Sequence, residues 1–209
     1  MFLLLFVILI LSYLIGCLHG SIVAQKLSGV NLKDTGVKNA GASNATIVLG
    51  KKYGALVAAI DIGKGALTII LLRYTLNWNT ISPEILVTFI FSAGAAVILG
   101  HVFPFYMKFN GGKGTATIIG VLLALHWGLG LIALAIFIIA TLVTDFIVFG
   151  VFTLYLSLIV IAIWKFSSLW TVLISVILLI IALYKHMENF KRMKVGEEKR
   201  VSAVFRKSK

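Results

Sequence analysis

The chain has 209 residues, of which 60% are hydrophobic and only 12% are charged, and its mean hydropathy is +1.07. Soluble domains carry about twice this charged fraction, so the composition predicts an integral membrane protein. In a soluble chain, the net charge of +12 would suggest nucleic-acid binding. No motif or interleaving of aromatic residues supports that reading here, and we expect no nucleic-acid partner.

The apolar runs are continuous rather than alternating, which favours membrane-spanning helices over a β-barrel. They predict an all-α integral membrane protein with about seven transmembrane helices, and five to seven fit the pattern. The predicted spans are residues 2–23, 54–76, 84–106, 115–127, 129–143, 146–164 and 168–184. The fourth and fifth are short and are either two short helices or one re-entrant pair. We expect one polytopic membrane domain over residues 1–190 and a basic tail over residues 191–209.

The basic residues are concentrated in alternate gaps between the apolar runs, as the positive-inside rule describes. This pattern places residues 24–53, 107–114 and 185–209 in the cytoplasm, and the N-terminus outside. The single cysteine, Cys17, excludes an intrachain disulfide, and no Cys/His cluster has the spacing of metal ligands. We therefore expect no metal site, and we also expect no cofactor. The gaps assigned to the outside are too short to hold a site, so we expect the site to face the cytoplasm.

The first large gap contains the glycine-rich sequence TGVKNAGASNATIVLGKKYG, from Thr35 to Gly54. Glycine lets a backbone turn sharply and present its N–H groups to an anion. The alternative is a flexible connector, although a gap of this length is long for that purpose alone. The composition favours a functional loop.

The second gap ends in NGGKG, from Asn110 to Gly114, directly before an apolar run that begins at Thr115. A glycine-rich loop before a helix N-terminus is suited to bind an anion, and Lys113 adds a positive charge. The sequence is not a Walker A motif, because the first glycine of that motif is absent. Spacing alone leaves a phosphate site and a tight interhelical turn equally open.

Two further groups of polar residues lie in or beside the apolar runs. His186 and Asn189 share a helix face where the last run ends, and His186 is either a substrate ligand or an interfacial polar cap. Asp61 and Lys64 lie three residues apart inside the second span, where ionisable side chains are costly and normally paired. A structural ion pair and a direct role in the site are both open.

Taken in order, these segments form four motifs. They read G-x-x-N-x-G-A-[ST]-N at Gly36–Asn44, D-x-x-K-G at Asp61–Gly65, G-H-x-[FY]-P-x-[FY]-x-x-F-x-G-G-K-G-x-A-T at Gly100–Thr117, and H-x-E-N at His186–Asn189. Over nearly its whole length the chain resembles the bacterial membrane acyl-phosphate:glycerol-3-phosphate acyltransferase family. The resemblance implies a seven-helix inner-membrane enzyme that moves a fatty acyl group from acyl phosphate to the 1-hydroxyl of glycerol 3-phosphate. The products are lysophosphatidic acid and phosphate, and no metal, acyl-CoA or acyl carrier protein takes part directly.

The resemblance also assigns roles to individual residues. Lys113 would hold a substrate phosphate, and His186 and Asn189 would hold substrates and stabilise the charge that develops during transfer. The implied substrate-binding residues are Gly36, Asn39, Gly41, Ser43, Asn44, Gly111, Gly112 and Gly114. Lys38, which the family pattern lacks, is a further candidate for substrate binding. We expect acyl phosphate, glycerol 3-phosphate and membrane lipid as partners, and a monomeric protein.

Four positions depart from the family pattern. Val37 replaces a serine, Ile47 a basic residue and Asn110 a lysine, and the segment from Asp145 lacks the family's Arg-x-x-Ser-x-x-Ser. Each lost charge-assisted bond to phosphate is worth about 1.5–3 kcal/mol, although Lys38 adds one cation. We expect an active acyltransferase. The alternatives are a weakened or redirected paralogue that binds phosphorylated lipid or a partner enzyme, and a small transporter.

Overall fold

A computed structural model describes residues 1–76 and 81–206, and in these ranges the chain is helical with no strand. The helices are α1 (Phe2–Cys17), α2 (Gly20–Ser28), α3 (Ala42–Leu49), α4 (Lys51–Thr75), α5 (Pro83–Val102), α6 (Thr115–Leu125), α7 (Trp127–Thr144), α8 (Ile147–Ile161), α9 (Leu169–Lys194) and α10 (Val201–Arg206). A 3₁₀ turn at Phe105–Met107 follows α5, and a π-helical turn at Ala162–Phe166 extends α8.

Six stretches of described helix are long and apolar enough to cross a membrane. They are Phe2–Ser28, Lys51–Thr75, Pro83–Met107, Trp127–Thr144, Ile147–Phe166 and Leu169–Lys194. The predicted fourth span is the shorter apolar helix α6. The predicted range of five to seven spans agrees with this count, whereas the orientation of the termini stays a prediction.

The first span is interrupted. The sequence predicts one helix over residues 2–23, but the structure divides it at Leu18 and His19, whose backbones are extended. The second part, α2, continues to Ser28 and ends at Gly29, whose φ of 74° is left-handed and suits glycine. The break leaves carbonyl groups at the end of α1 without helical partners, and other side chains bind them.

The chain forms two compact units, Met1–Leu125 and His126–Lys209. The prediction of one membrane domain over residues 1–190 is not tested by this division and stays a prediction. In the second unit, α9 extends ten residues past the predicted end of the last span, to Lys194. The predicted tail over residues 191–209 therefore begins inside α9, and its residues 207–209 lie outside the described part of the chain.

In the first unit, α4 and α6 approach each other closely at two glycines. A Cβ on Gly65 would lie 2.3 Å from the carbonyl oxygen of Thr117, and one on Gly120 would lie 2.0 Å from that of Ile62. Small residues at a helix interface permit such backbone contact inside a membrane. This packing fixes the N-terminal end of α6, and with it the loop that precedes α6.

Candidate active site

The loop Asn110–Gly114, called the second loop below, folds back onto the end of α5. The Gly111 N–H donates to the Val102 carbonyl at 3.0 Å, and the Gly112 N–H donates to the His101 carbonyl at 3.1 Å. Gly114 has a φ of 86°, which favours glycine at this position. The chain then enters α6 directly, so the loop is held at both of its ends.

This arrangement brings together the glycines that the sequence singles out and Lys113. Lys113 is partly buried and stands two residues before Thr115, where α6 begins. The first N–H groups of a helix have no intrahelical acceptor and favour negative charge. The end of this loop is thus chemically suited to a phosphate, and the assignment of Lys113 as a phosphate ligand stays a prediction.

Beneath the second loop lies a group of buried charged and polar side chains. Lys64 Nζ lies 3.0 Å from Asp61 Oδ1 and 2.8 Å from His101 Nδ1. It also donates to the carbonyls of Gly16 and Leu18 at the break between α1 and α2, at 2.8 and 2.7 Å. The exposed fractions of Asp61, Lys64 and His101 are 0%, 5% and 2%. We call Asp61, Lys64 and His101 the buried triad.

The buried triad lies beside His19, whose ring stacks on that of His101 at 4.5 Å. His19, Asp61 and His101 each offer one potential metal-ligand atom, and these atoms lie within 4.8 Å of one another. Sequence spacing does not reveal this cluster, because its members come from separate helices. However, the Lys64 ammonium group already contacts both Asp61 and His101, and its positive charge would repel a metal ion. The residues therefore do not fit a resident metal.

The glycine-rich segment Thr35–Gly54 is called the first loop below, although the structure forms the helix α3 within it and begins α4 at Lys51. One side chain organises this segment. Asn44 is fully buried, and its Oδ1 accepts from the Val37 N–H at 2.9 Å. Its Nδ2 donates to the carbonyls of Leu32, Thr35 and Asn39, at 2.8, 3.1 and 2.9 Å. All of these bonds are made within the protein, so they give Asn44 a part in shaping the loop. Lys38 and Ser43, two other predicted substrate residues, are exposed.

A cavity of about 350 Å³ opens in the first unit between α2, the residues before the first loop and the 3₁₀ turn. Its lining includes Lys26, Lys33 and Tyr106. Burial lowers the pKa of Lys33, and the neighbouring Asp34 carboxylate partly offsets this. The sequence did not single out Lys26 or Lys33, because their charge alone also fits the positive-inside rule.

In the second unit, His186 is buried, with 2% of its surface exposed. Its Nδ1 lies 2.8 Å from the Ala182 carbonyl, and Phe152 contacts its ring edge to face at 5.7 Å. A carbonyl only accepts hydrogen bonds, so this contact assigns the proton to Nδ1. In the neutral ring, Nε2 is then a proton acceptor.

Asn189 is bound to the segment that follows α9. Its Nδ2 donates to Glu198 Oε1 at 2.6 Å, and Arg192 Nε donates to the other oxygen of Glu198, also at 2.6 Å. Gly196, with a φ of 75°, allows the chain to turn back between them. No motif in the sequence marks Arg192 and Glu198 as partners of Asn189, although a glycine between opposite charges is a recognisable turn signal.

Asp145 ends α7 and anchors the C-terminal tail. Its side chain accepts from the N–H and hydroxyl groups of Ser202, at 2.8 and 2.7 Å, and Arg200 lies 3.7 Å away. The donors of Ser202, helped by the charge of Arg200, lower the pKa of the Asp145 carboxyl. The structure shows a helix-terminal residue with a φ of 62° whose charged partner is an arginine.

Comparisons with known proteins agree with this architecture. The family profile described as "Glycerol-3-phosphate acyltransferase" matches residues 6–196. The chain belongs to the glycerol-3-phosphate acyltransferase family. It is 43% identical to glycerol-3-phosphate acyltransferase 1 of Oceanobacillus iheyensis, over 95% of each chain. A glycerol-3-phosphate acyltransferase of Thermoanaerobacter sp. is 34% identical, with 92% of this chain and 93% of the relative covered.

Two solved structures share the fold of this family member. One is the glycerol 3-phosphate form of PlsY (YgiH), an integral membrane glycerol 3-phosphate acyltransferase, with a TM-score of 0.84 and 28% identity. That match covers 98% of this chain and 99% of the other. The lysophosphatidic acid form of PlsY matches with a TM-score of 0.78 and 29% identity, over 94% of each chain. The predicted family and the all-α integral membrane fold are confirmed.

Proposed function

We propose that this chain transfers a fatty acyl group from acyl phosphate to the 1-hydroxyl of glycerol 3-phosphate. The hydroxyl oxygen forms the new ester bond, the bond between the acyl carbon and the phosphate oxygen breaks, and its electron pair leaves with phosphate. The family membership and the PlsY forms with substrate and product support the acyl transfer. The donor is the finer part of the proposal and rests on the motifs.

One structural observation carries the proposal most directly. Backbone hydrogen bonds anchor the second loop, which ends in a glycine of positive φ and places Lys113 two residues before the start of α6. Both proposed substrates carry phosphate, and a lysine beside free helical N–H groups binds phosphate by charge and by hydrogen bonds. Phosphate is also a good leaving group, so the reaction needs no strong protein nucleophile, and the sequence indicates none.

The second unit supplies the proposed acid–base and positioning groups. His186 carries its own proton on Nδ1. Its Nε2 is therefore the atom that accepts a second proton, from the attacking hydroxyl. Asn189 is held by Glu198 and would orient a substrate oxygen. We further propose that the protein lies in the bacterial inner membrane as a monomer, with these groups on its cytoplasmic side.

The alternative is a weakened or redirected paralogue, and the residues in the first loop favour it. Val37 offers its N–H to Asn44 rather than a hydroxyl to a ligand, and Ile47 is a partly buried apolar side chain. Two features favour an active enzyme instead. Lys38 lies in the first loop, and Lys26 and Lys33 line the cavity beside it. These lysines would supply positive charge that the departures remove.

The deciding experiment uses the purified full chain in a lipidic medium with palmitoyl phosphate and glycerol 3-phosphate, and follows phosphate and lysophosphatidic acid. We expect both products from the wild type. Lys113→Gln should remove nearly all turnover because a phosphate ligand is lost, and His186→Asn should lower kcat about 100-fold, the lower range for a general base.

Each variant has a matched control. Lys108→Gln changes an exposed lysine of the same segment, and His126→Asn changes the histidine that caps α7. Both should retain wild-type rates. Folded wild type that binds acyl phosphate but forms neither product would contradict the proposed activity and favour the paralogue. Full activity of Lys113→Gln would contradict the phosphate role of the loop.

A further inference from the structure

His101 lies at the junction of the buried triad and the second loop, and the proposed reaction assigns it no part in catalysis. Its Nδ1 faces the Lys64 ammonium group at 2.8 Å. An ammonium group only donates, so Nδ1 must be the acceptor, and the neutral ring carries its proton on Nε2. This bond fixes both the tautomer and the direction of the imidazole.

The other edge of the same ring faces the second loop. A Cβ on Gly112 would lie 2.1 Å from His101 Nε2, which means that the ring fills the space where any other residue would place its side chain. The backbone of His101 holds the same glycine, because its carbonyl accepts the Gly112 N–H at 3.1 Å. The loop thus rests on both the ring and the main chain of His101.

The helix α4 supports the loop from both ends. Lys64 binds His101, the α5 residue that contacts Gly112 of the loop. The adjacent Gly65 packs against Thr117 in the first turn of α6, which follows the loop. Asp61 accepts from the Gly20 N–H at 3.2 Å and balances the charge of Lys64. The loop geometry therefore depends on a few side chains of one rigid helix.

We propose that His101 is a positioning residue, which sets the conformation of the second loop through its Nδ1 bond to Lys64 and its ring contact with Gly112. With only 2% of its surface exposed, it acts on substrate through the loop rather than by contact. The effect on catalysis rests on the proposed function, whereas the effect on loop conformation does not.

Two substitutions of His101 distinguish the effect of its bond to Lys64 from the effect of its ring volume. Asparagine places a polar atom near the position of Nδ1, and glutamine places one near that of Nε2. We expect His101→Gln to raise the KM for a phosphate-bearing substrate about 10-fold, the factor for one lost charge-assisted bond, and to change kcat much less. His101→Asn should keep an acceptor for Lys64 and show a clearly smaller rise in KM.

Hydrogen exchange provides a readout that needs no activity. In the full chain in lipid, peptides covering residues 108–116 should exchange faster in His101→Gln than in His101→Asn, and slowest in the wild type. Equal exchange in all three proteins would overturn the proposal. If the wild type forms no product but the exchange order holds, the positioning role stands and the proposed function fails.

A double-mutant cycle tests the ring contact. Gly112→Ala should disturb the loop strongly in the wild type, because the added methyl group meets the imidazole. In the His101→Asn background, where the shorter side chain leaves room, its effect on KM or exchange should be smaller by roughly 10-fold. Gly63→Ala is the matched control, since no atom lies within 4 Å of its added Cβ. Simple additivity of the two changes would overturn the ring contact as the positioning element.

Discussion

The two units hold their candidate site residues in different ways. In the first unit, Asn44 and the buried triad are buried, and most of their polar side-chain atoms bind a few protein partners. In the second unit, the side chains that bind the tail are partly exposed, with fractions of 26% for Arg192 and 14% for Glu198. A buried group that loses its partner keeps its full desolvation cost, whereas water replaces a partner near the surface. The same substitution should therefore be far more damaging at these buried positions of the first unit than at the tail contacts of the second.

The largest effect is expected for Asn44→Ala in the first loop. The change leaves one N–H and three carbonyls without their partner, and each unsatisfied buried group costs about 1–3 kcal/mol. We expect a fall of several degrees in the Tm measured in detergent, and loss of acyl transfer. Asn31→Ala is the matched control, because Asn31 forms a partly exposed turn with Lys33 and Asp34. It should lower the Tm much less. Equal changes in Tm for the two variants would remove the contrast.

An intermediate effect is expected for Glu198→Gln in the second unit. Glutamine can still accept from Asn189 but loses the charge that pairs with Arg192. We expect kcat/KM to fall about 10-fold, the factor for one weakened charge-assisted bond, because Glu198 positions the proposed substrate ligand Asn189. The Tm should change little. Glu197→Gln, at the exposed neighbouring position, should behave as the wild type. A loss of stability as large as that of Asn44→Ala would show that exposure does not control the response.

The smallest effect is expected for Asp145→Asn, which weakens the anchor of α10. Trypsin should cleave after Arg200 several-fold faster, while acyl transfer stays unchanged, and Glu197→Gln should leave the cleavage rate as it is. Because the folded-state pKa of Asp145 is lowered, the charged anchor is present at neutral pH and is lost as the pH falls through that lowered value. Cleavage with a protease active in acid should therefore accelerate at low pH in the wild type but not in Asp145→Asn.

Much of this architecture follows from local sequence signals. Continuous apolar runs predict the long helices, and glycines predict the observed loops beside Lys113 and before Ala42. The helix α3, which contains Asn44, lies inside the predicted loop and was not predicted. The i, i+3 spacing of Asp61 and Lys64 permits the 3.0 Å contact that the structure shows. These features depend on neighbours in sequence, so periodicity and composition are enough to find them.

The remaining features depend on contacts between distant segments. No periodic signal marks Leu18 and His19 as a helix break, although Gly16 and Gly20 flank them. His101 looks like one more residue of α5 until Lys64 is placed beside it. Glu198 lies nine positions after Asn189 and binds it across the turn that follows α9. Such pairs are set by tertiary packing, which a single sequence does not reveal.

The break between α1 and α2 has a consequence for biosynthesis. Carbonyl groups without partners are costly inside a bilayer, and those of Gly16 and Leu18 are bound by Lys64, which is made 46 residues after Leu18. A nascent chain that has inserted only its first span therefore lacks the ammonium group that completes it. The N-terminal segment should therefore fold in two stages. The helices α1 and α2 insert first, and the break between them reaches its final structure only after α4 has been synthesised and inserted.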